Sequence, residues 1–253
     1  MRLFLLNFSD RRFESARFLQ NSVAEQYGVD VVVSWSDEDL RNLVFYEQHA
    51  ETLREPRGCG FWLWKPFIVR SLLDKVDPGD VVLYLDSAIT PVRSLRPLLD
   101  VCVGNGGFFT TWQRHRNATW TKRDTFVLTD TDSPAYYYSL HSNAAYMMFQ
   151  RSHRTIEFVD QWLDFCSDPR ILTDSPNSCG LPNLPDFIDH RHDQSVLSLL
   201  SLKWGLPRFP SICQYLPDPS PPAPLDVQYL DHHRDGGVPT REEEDPTWKA
   251  YVG

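Results

Sequence analysis

The clearest hydrophobic pattern in the chain is a run of five apolar residues at 81–85, which follows a Pro-Gly-Asp turn and ends on the carboxylate of Asp86. A short, continuous run with β-branched and aromatic members is typical of a strand that is buried on both faces. Such strands occur in parallel α/β sheets, whose ligands bind beyond the carboxyl ends of the strands. The pattern therefore predicts that Asp86 lies at the mouth of a ligand site.

The same kind of pattern elsewhere predicts an alternation of strands and helices. Strands are predicted over 2–7, 29–34, 107–112 and 144–150, with a further short one at 227–230. Helices are predicted over 11–27, 37–53, 67–75, 152–166 and 193–202. Loops are predicted over 113–142 and 167–189, and an extended linker over the proline-rich segment 217–224. This order predicts a single α/β domain over 1–235, with a mostly parallel sheet flanked by helices and right-handed crossovers, and a weakly ordered tail over 236–253.

Length and composition set the class of protein. The 253 residues are 42% hydrophobic, which is enough for one large core. No apolar run approaches the roughly 18 residues of a membrane span, and the apolar start at 3–6 is too short for a signal peptide. We expect a cytoplasmic protein without a transmembrane segment, whose five scattered cysteines are reduced.

The charge of the chain bears on its partners. The net charge of −9 argues against non-specific binding of nucleic acid, because that binding depends on lysines and arginines that displace counterions from phosphates. A basic cluster at 114–123 is compatible with a local binding surface for nucleic acid.

Five motifs occur in order along the chain, at 60–67 (containing Trp-x-Trp-Lys-Pro), 79–87, 120–124, 190–195 (His-Arg-His-Asp-Gln-Ser) and 232–234. Together they resemble a group of bacterial and viral glycosyltransferases of the GT-A type, which use nucleotide-sugar donors. The resemblance covers roughly residues 1–235. It implies a GT-A-like domain that transfers a hexose or pentose from a nucleotide diphosphate donor, with a uridine diphosphate sugar favoured, to a hydroxyl acceptor.

The resemblance also implies how the donor is held. In GT-A enzymes an Asp-x-Asp sequence at a strand end meets the ribose and a divalent cation, whereas this chain has Asp86, Ser87 and Ala88 and lacks the second carboxylate. The resemblance implies that Asp86 binds Mn²⁺ or Mg²⁺, with His232 or His233 as a late ligand.

An alternative hypothesis is that the donor is held without a divalent cation. The diphosphate that departs from the sugar develops negative charge, which lysine and arginine can also stabilise. Lys65, at the start of a predicted helix, is placed to meet phosphate, and Arg191 and Arg234 are further candidates.

Asp193 is the second acidic candidate, because it opens a predicted helix directly after His-Arg-His. A carboxylate there is a natural N-cap, and helix N-termini also favour anionic ligands. By resemblance to retaining enzymes, Asp193 contacts the hydroxyls of the donor sugar and takes part in catalysis, with Gln194 beside the anomeric centre. The remaining donor contacts that the resemblance implies are Asn7, Phe8 and Ser9 at the base, Ser87 beside Asp86, Lys122 and Asp124 near the sugar, and His192.

The acceptor stays open at this point. A glycan or a lipid-linked glycan is the usual acceptor of such bacterial enzymes, and a hydroxymethylated base of phage DNA is a sharper alternative. A hypothesis from another class is a catalytically inert protein that binds sugar nucleotides, which Ala88 in place of a carboxylate favours. A nucleotidyltransferase is disfavoured, because the N-terminal region has no glycine-rich phosphate loop.

Overall fold

The structure, a computed structural model, describes residues 1–215 and 224–233. The strands in this part of the chain are β1 (Leu3–Ser9), β2 (Val31–Ser36), β3 (Val81–Leu85), β4 (Ile89–Pro91), β5 (Phe108–Arg116), β6 (Leu140–Gln150), β7 (Arg208–Phe209) and β8 (Leu230–His232). The helices are α1 (Glu14–Ala24), α2 (Asp37–Arg41), α3 (Val44–Gln48), α4 (Ala50–Leu53), α5 (Gly58–Phe61), α6 (Trp64–Lys75), α7 (Arg96–Gly104), α8 (Asn117–Trp120), α9 (Arg123–Leu128), α10 (Pro134–Tyr137), α11 (His153–Cys166), α12 (Pro169–Leu172) and α13 (His192–Lys203).

The described strands build one large sheet with the order β2-β1-β3-β6-β5-β7. β1 runs parallel to both β2 and β3, and β5 runs parallel to β7, while β6 is antiparallel to β3 and β5. A second, two-stranded sheet pairs β4 with β8. The predicted fold class, an α/β domain with a mostly parallel sheet flanked by helices, is confirmed.

The continuous apolar run of β3 is explained by helices on both faces of the sheet. All five of its residues are buried, and alternate residues enter two different cores. Val82 and Tyr84 pack with the face covered by α6, α11 and α13, whereas Leu83 packs with the face covered by α7. A strand covered on both faces needs apolar residues at every position, which is why no alternation is visible in the sequence.

Three predictions about elements were wrong, among them the loop predicted over 167–189, which contains α12. The helix predicted over 37–53 is divided into α2, α3 and α4. Leu43 adopts an extended backbone after Asn42, whose side-chain amide donates to Glu38 O, and His49 leaves the helical conformation between α3 and α4. The loop predicted over 113–142 contains α8, α9 and α10, and both β5 and β6 extend into it.

Other predictions survive with shifted ends. Gly28 ends the first helical segment with a positive φ of 94°, as its lack of a Cβ allows, and α6 begins three residues earlier than predicted.

All five cysteines are free thiols. No helix in the described ranges combines the length and apolarity needed to cross a bilayer. Arg234, the tail 236–253 and nearly all of the linker 217–224 lie outside the described residues.

Candidate functional site

The centre of the site is the ammonium group of Lys65, which is buried with 3% of its side chain exposed. Its Nζ lies 3.3 Å from Oδ1 of Asp86 and 3.3 Å from Oδ2 of Asp193, and it donates a hydrogen bond to Ala144 O at 3.0 Å. The two acids that the sequence singled out, 107 positions apart by their numbers in the chain, therefore share one cation. They meet at the edge of the sheet where β3 ends.

A left-handed turn places Lys65 there. The non-glycine residues Cys59, Phe61 and Trp62 all have positive φ, between 52° and 59°, immediately before α6 begins. Each such residue costs about 1–2 kcal/mol of backbone strain, so the surrounding contacts must hold the turn in place. Trp64 contributes to this, since its Nε1 donates to Gly58 O at 2.9 Å and its ring stacks on another aromatic ring of the core.

Asp86 is the accessible acid of the pair, with 32% of its side chain exposed. The hydroxyl of Tyr84 donates to Oδ1 at 2.6 Å, and burial together with the Asp86 charge raises the pKa of Tyr84 well above its usual value. The phenol therefore stays protonated and fixes the carboxylate. Gln20 fixes the backbone at the same point by donating to Asp86 O at 2.9 Å.

Asp193 is the buried acid, with only 4% of its side chain exposed. Burial raises its pKa to about 7, and the negative charge of Asp86 adds to this, while the Lys65 ammonium acts in the opposite direction. The expectation that Asp193 caps the helix is wrong. Arg191 occupies the N-cap of α13 and Asp193 lies within its first turn, so its carboxylate faces Lys65.

The charge of Lys65 is stable in this setting. Burial lowers its pKa, but the two carboxylates raise it more, and the net shift is upward. The sequence predicted that Lys65 meets phosphate, whereas the structure gives its ammonium two carboxylate partners.

Asn7, Phe8 and Ser9, predicted to contact a base, are buried at the end of β1. Asn7 donates to Gln20 Oε1 at 2.6 Å, and Phe8 O accepts a hydrogen bond from the Ser87 hydroxyl. These contacts tie the end of β1 to the loop that carries Asp86. Their role toward a base remains a prediction.

A cavity of about 410 Å³ opens beside the end of β1, and the sequence did not predict it. Its lining includes the rings of Phe8 and Tyr46 and equal numbers of basic and acidic side chains, Arg12, Arg41 and Arg54 with Asp10, Asp37 and Glu55. Phe8 links this cavity to the acidic centre, because its ring stacks on Trp64 with 3.9 Å between centroids. The lining residues come from separate elements, which is why no single motif marks them.

Lys122 and Asp124 hold the loop 173–190. Lys122 Nζ donates to Ser175 O at 2.6 Å, and the Asp124 carboxylate accepts from the backbone amides of Ser178 and Cys179 at 2.7 and 2.8 Å. Burial acts to raise the pKa of Asp124, but these hydrogen bonds lower it more, to about 2. Lys122 also lines a second cavity of about 410 Å³ between this loop and Arg57. Their predicted contacts with a donor sugar remain untested.

Arg191 and His192 precede Asp193 in the chain. The Arg191 guanidinium lies over the Trp120 ring at 4.3 Å, and His192, with a positive φ of 49°, is buried against the rings of Phe61 and Trp62. The strained first residue of α13 thus packs on the strained turn before α6. This contact connects the two elements that carry Lys65 and Asp193.

The predicted metal ligands lie near one another in the fold without forming a protein cage. β8 pairs with β4, so that His232 is opposite Ile89 and the His233 amide donates to Ala88 O at 2.7 Å. His233 Nε2 lies 3.1 Å from the Thr90 hydroxyl. Asp86 already has Tyr84 and Lys65 at its Oδ1, and the described residues contain no cluster of three His, Cys, Asp or Glu side chains suited to a metal. This donor set does not fit a cation held by the protein alone.

Comparison with known proteins identifies the fold of this chain. No family model and no curated protein matched the sequence. The galactosyltransferase LgtC, solved with donor and acceptor sugar analogs, is similar in structure over 98% of this chain and 92% of its own, with a TM-score of 0.51 and 15% identity. The chain has the GT-A glycosyltransferase fold. The bifunctional glycosyltransferase WbbM is also similar, over 98% of this chain, with a TM-score of 0.54 and 11% identity. This GT-A chain covers only 47% of WbbM.

The sequence missed several residues of this candidate site. Tyr84 lies in the apolar run of β3, where the pattern predicts only a core position, although it is two residues before Asp86 and on the same face of the strand. Gln20 on α1 and His141 on β6 are polar residues, and both are fully buried. A polar residue at a core position of a predicted helix is the signal that could have found Gln20, whereas His141 lies in the segment 113–142 that the sequence predicts as a loop.

Proposed function

We propose that this chain is a retaining glycosyltransferase that transfers a hexose or pentose from a nucleotide diphosphate donor, with a uridine diphosphate sugar favoured, to a hydroxyl acceptor. The proposal depends on one observation above all. Asp86 at the tip of β3 and Asp193 in the first turn of α13 share the buried ammonium of Lys65. This pairing supports a site in the position where α/β sheets bind ligands, at the carboxyl ends of the strands.

The donor's nucleotide belongs, in this proposal, in the cavity beside β1. Phe8 and Tyr46 offer aromatic surface for a base, and Arg54 offers positive charge for a diphosphate, whereas Arg12 and Arg41 are paired with Asp10 and Asp37 of the same cavity. Asp86, which is partly exposed, is the acid available to ribose hydroxyls. Lys65 is a less suitable phosphate ligand, because its charge already balances two carboxylates.

Asp193 and Gln194 act, in this proposal, on the transferred sugar. The carboxylate of Asp193 accepts hydrogen bonds from sugar hydroxyls, and Gln194 faces the anomeric carbon. The bond from that carbon to the diphosphate oxygen breaks, a bond to the acceptor oxygen forms on the same face, and the acceptor's proton passes to the departing phosphate. The partial positive charge on the sugar ring is stabilised by nearby oxygen atoms that are already in place. No step requires a cation held by the protein.

A donor screen tests the proposal. A ligand that binds only the folded state raises the melting temperature, so uridine diphosphate sugars should give the largest shift among nucleotide sugars. Asp86→Ala should abolish this shift, whereas Asp130→Asn, which alters a carboxylate that is 96% exposed and follows the end of α9, should leave it unchanged. A normal shift in Asp86→Ala would place the nucleotide elsewhere.

Turnover and acceptor need a second measurement. Release of uridine diphosphate should accompany transfer to a glycan or lipid-linked glycan acceptor. Donor binding by calorimetry without any diphosphate release, with or without Mn²⁺, would favour the inert sugar-nucleotide-binding alternative. Transfer to hydroxymethylated duplex DNA, but not to glycans, would identify the DNA-base acceptor instead.

A further inference from the structure

The side chain of Gln194 is held from one side by a buried histidine. Gln194 Nε2 lies 3.0 Å from His141 Nδ1, and it also lies 3.5 Å from Gln113 Oε1. His141 is on β6 and has no exposed surface, whereas Gln194 is partly exposed at the start of α13. The nitrogen of the Gln194 amide therefore meets the protein interior, while the residue itself is partly exposed next to Asp193.

The hydrogen bonds around His141 determine which end of the Gln194 amide, the NH₂ group or the carbonyl oxygen, points into the protein. The hydroxyl of Ser195 donates to Trp120 O at 2.7 Å, so its oxygen can only accept from the ring nitrogen Nε2 of His141, 3.4 Å away. The ring hydrogen is then on Nε2, and Nδ1 is left as an acceptor. An amide that meets an acceptor nitrogen must present its NH₂ group, and its carbonyl oxygen then points away from His141.

The charge state of His141 supports this arrangement. Burial lowers the pKa of His141 to about 3, with the positive charge of Arg191 as the next cause. The imidazole is therefore neutral near pH 7, and Nδ1 keeps the lone pair that accepts from Gln194.

The contact between His141 and Gln194 is also fixed by the packing of α13 on β6. Ser198, one turn after Gln194 on α13, accepts a hydrogen bond from the Ser142 amide of β6 at 2.9 Å and donates to Asn117 Oδ1 at 2.7 Å. These buried bonds fix α13 against the strand that carries His141. The Gln194 amide is thus oriented by a framework that does not depend on a bound ligand.

We propose that His141 is a positioning residue that turns the Gln194 amide so that its carbonyl oxygen, and not its NH₂ group, faces the anomeric carbon of the donor sugar. This inference rests on the proposed glycosyltransferase function. The carbonyl oxygen carries partial negative charge, and positive charge develops at the anomeric carbon as the diphosphate departs. A reversed amide would present a donor to that carbon and would oppose the reaction.

Matched substitutions of His141 test the inference. Asparagine places a polar group near the position of Nδ1 and can still accept from Gln194, whereas glutamine places it near Nε2, toward Ser195. His141→Asn should retain kcat within a few-fold, while His141→Gln and His141→Leu should lower kcat by about 10- to 100-fold with little change in donor KM, since the loss is confined to the transition state. Melting temperatures and calorimetric donor affinities show which variants remain folded.

A double-mutant cycle separates positioning from general support of the fold. If His141 acts through Gln194, then His141→Leu should lower kcat no further once Gln194→Ala is present. Independent losses in the two variants would overturn the inference, and so would equal losses of kcat in His141→Asn and His141→Leu.

A spectroscopic readout is independent of turnover. In ¹⁵N-labelled protein, the His141 ring should be neutral with its hydrogen on Nε2. A ring hydrogen on Nδ1 would overturn the inference even in an active enzyme. Failure of the wild-type chain to turn over any donor, with the Nε2 tautomer present, would instead refute the proposed function, and the catalytic role of the oriented amide with it.

Discussion

Lys65 and Asp193 form a buried ion pair, with 3.3 Å between Nζ and Oδ2 and less than 5% of either side chain exposed. The pair joins α6 to α13 on one side of the sheet and leaves Asp86 as the more exposed third member. Water is excluded from the pair, so each charge depends on the other for its stabilisation. The pair therefore affects both the stability of the fold and the proposed chemistry.

Lys65→Met should be strongly destabilising, because it leaves a buried carboxylate without its cation. Removal of one partner of a buried pair costs about 3–5 kcal/mol. We expect a loss of this size in the free energy of unfolding from urea titration at pH 8. The loss should be smaller at pH 5, where Asp193 takes up a proton.

Two variants control this prediction. Lys203→Met removes a cation from a pair whose carboxylate, Asp130, is 96% exposed, and should cost no more than about 1 kcal/mol. Adding Asp193→Asn to Lys65→Met should recover part of the lost stability. Equal losses in Lys65→Met and Lys203→Met would show that the buried pair is not formed in solution.

Asp193 should make stability depend on pH near neutrality. Its pKa is about 7 in the folded chain, against 3.8 for an ordinary aspartate, so the folded state binds the proton more tightly. The stabilisation that this proton provides is complete below about pH 4 and is lost as the pH rises toward 7, at up to about 1.4 kcal/mol per pH unit.

Asp193→Asn removes that dependence, because an amide does not ionise. We expect the wild type to lose stability relative to Asp193→Asn between pH 5 and pH 8, measured by urea unfolding, while the variant loses sugar transfer. A parallel pH dependence in the two proteins would contradict the assignment of the titration to Asp193.

Metal binding should depend on nucleotide. The described residues lack a three-ligand cluster, and cations such as Mg²⁺ often bind through one or two carboxylates together with substrate phosphates. We expect Mn²⁺ alone to leave the melting temperature unchanged after dialysis against a chelator. A clear shift with Mn²⁺ alone that disappears in Asp86→Asn would demonstrate a site complete without the nucleotide.

Asp124→Asn should loosen the loop 173–190. The carboxylate accepts two backbone amides of this loop, and Asn has one carbonyl oxygen in place of two acceptors. We expect faster proteolysis within the loop and a stability loss of about 1–3 kcal/mol. The pKa of Asp124 is lowered to about 2. The stabilisation that its carboxylate provides is therefore present above about pH 4 and is lost as the pH falls toward 2. Asp130→Asn, nearby and exposed, should change neither measurement.

The sequence by itself determined the parts of this protein that depend on local patterns. The apolar run of β3 predicted a strand covered on both faces, its end predicted the place of Asp86, and the alternation of patterns predicted an α/β sheet. These features follow from side-chain period and burial over a few residues, which a single stretch of sequence records.

Tertiary structure decided what each polar residue touches. Lys65 was predicted to meet phosphate, and only folding of α6 against β3 and α13 placed its ammonium between Asp86 and Asp193. In the same way, His141 acquires its neutral state and its contact with Gln194 only when β6 packs against α13. Charge state and hydrogen-bond direction depend on burial and on partners distant in the chain, and no local pattern contains that information.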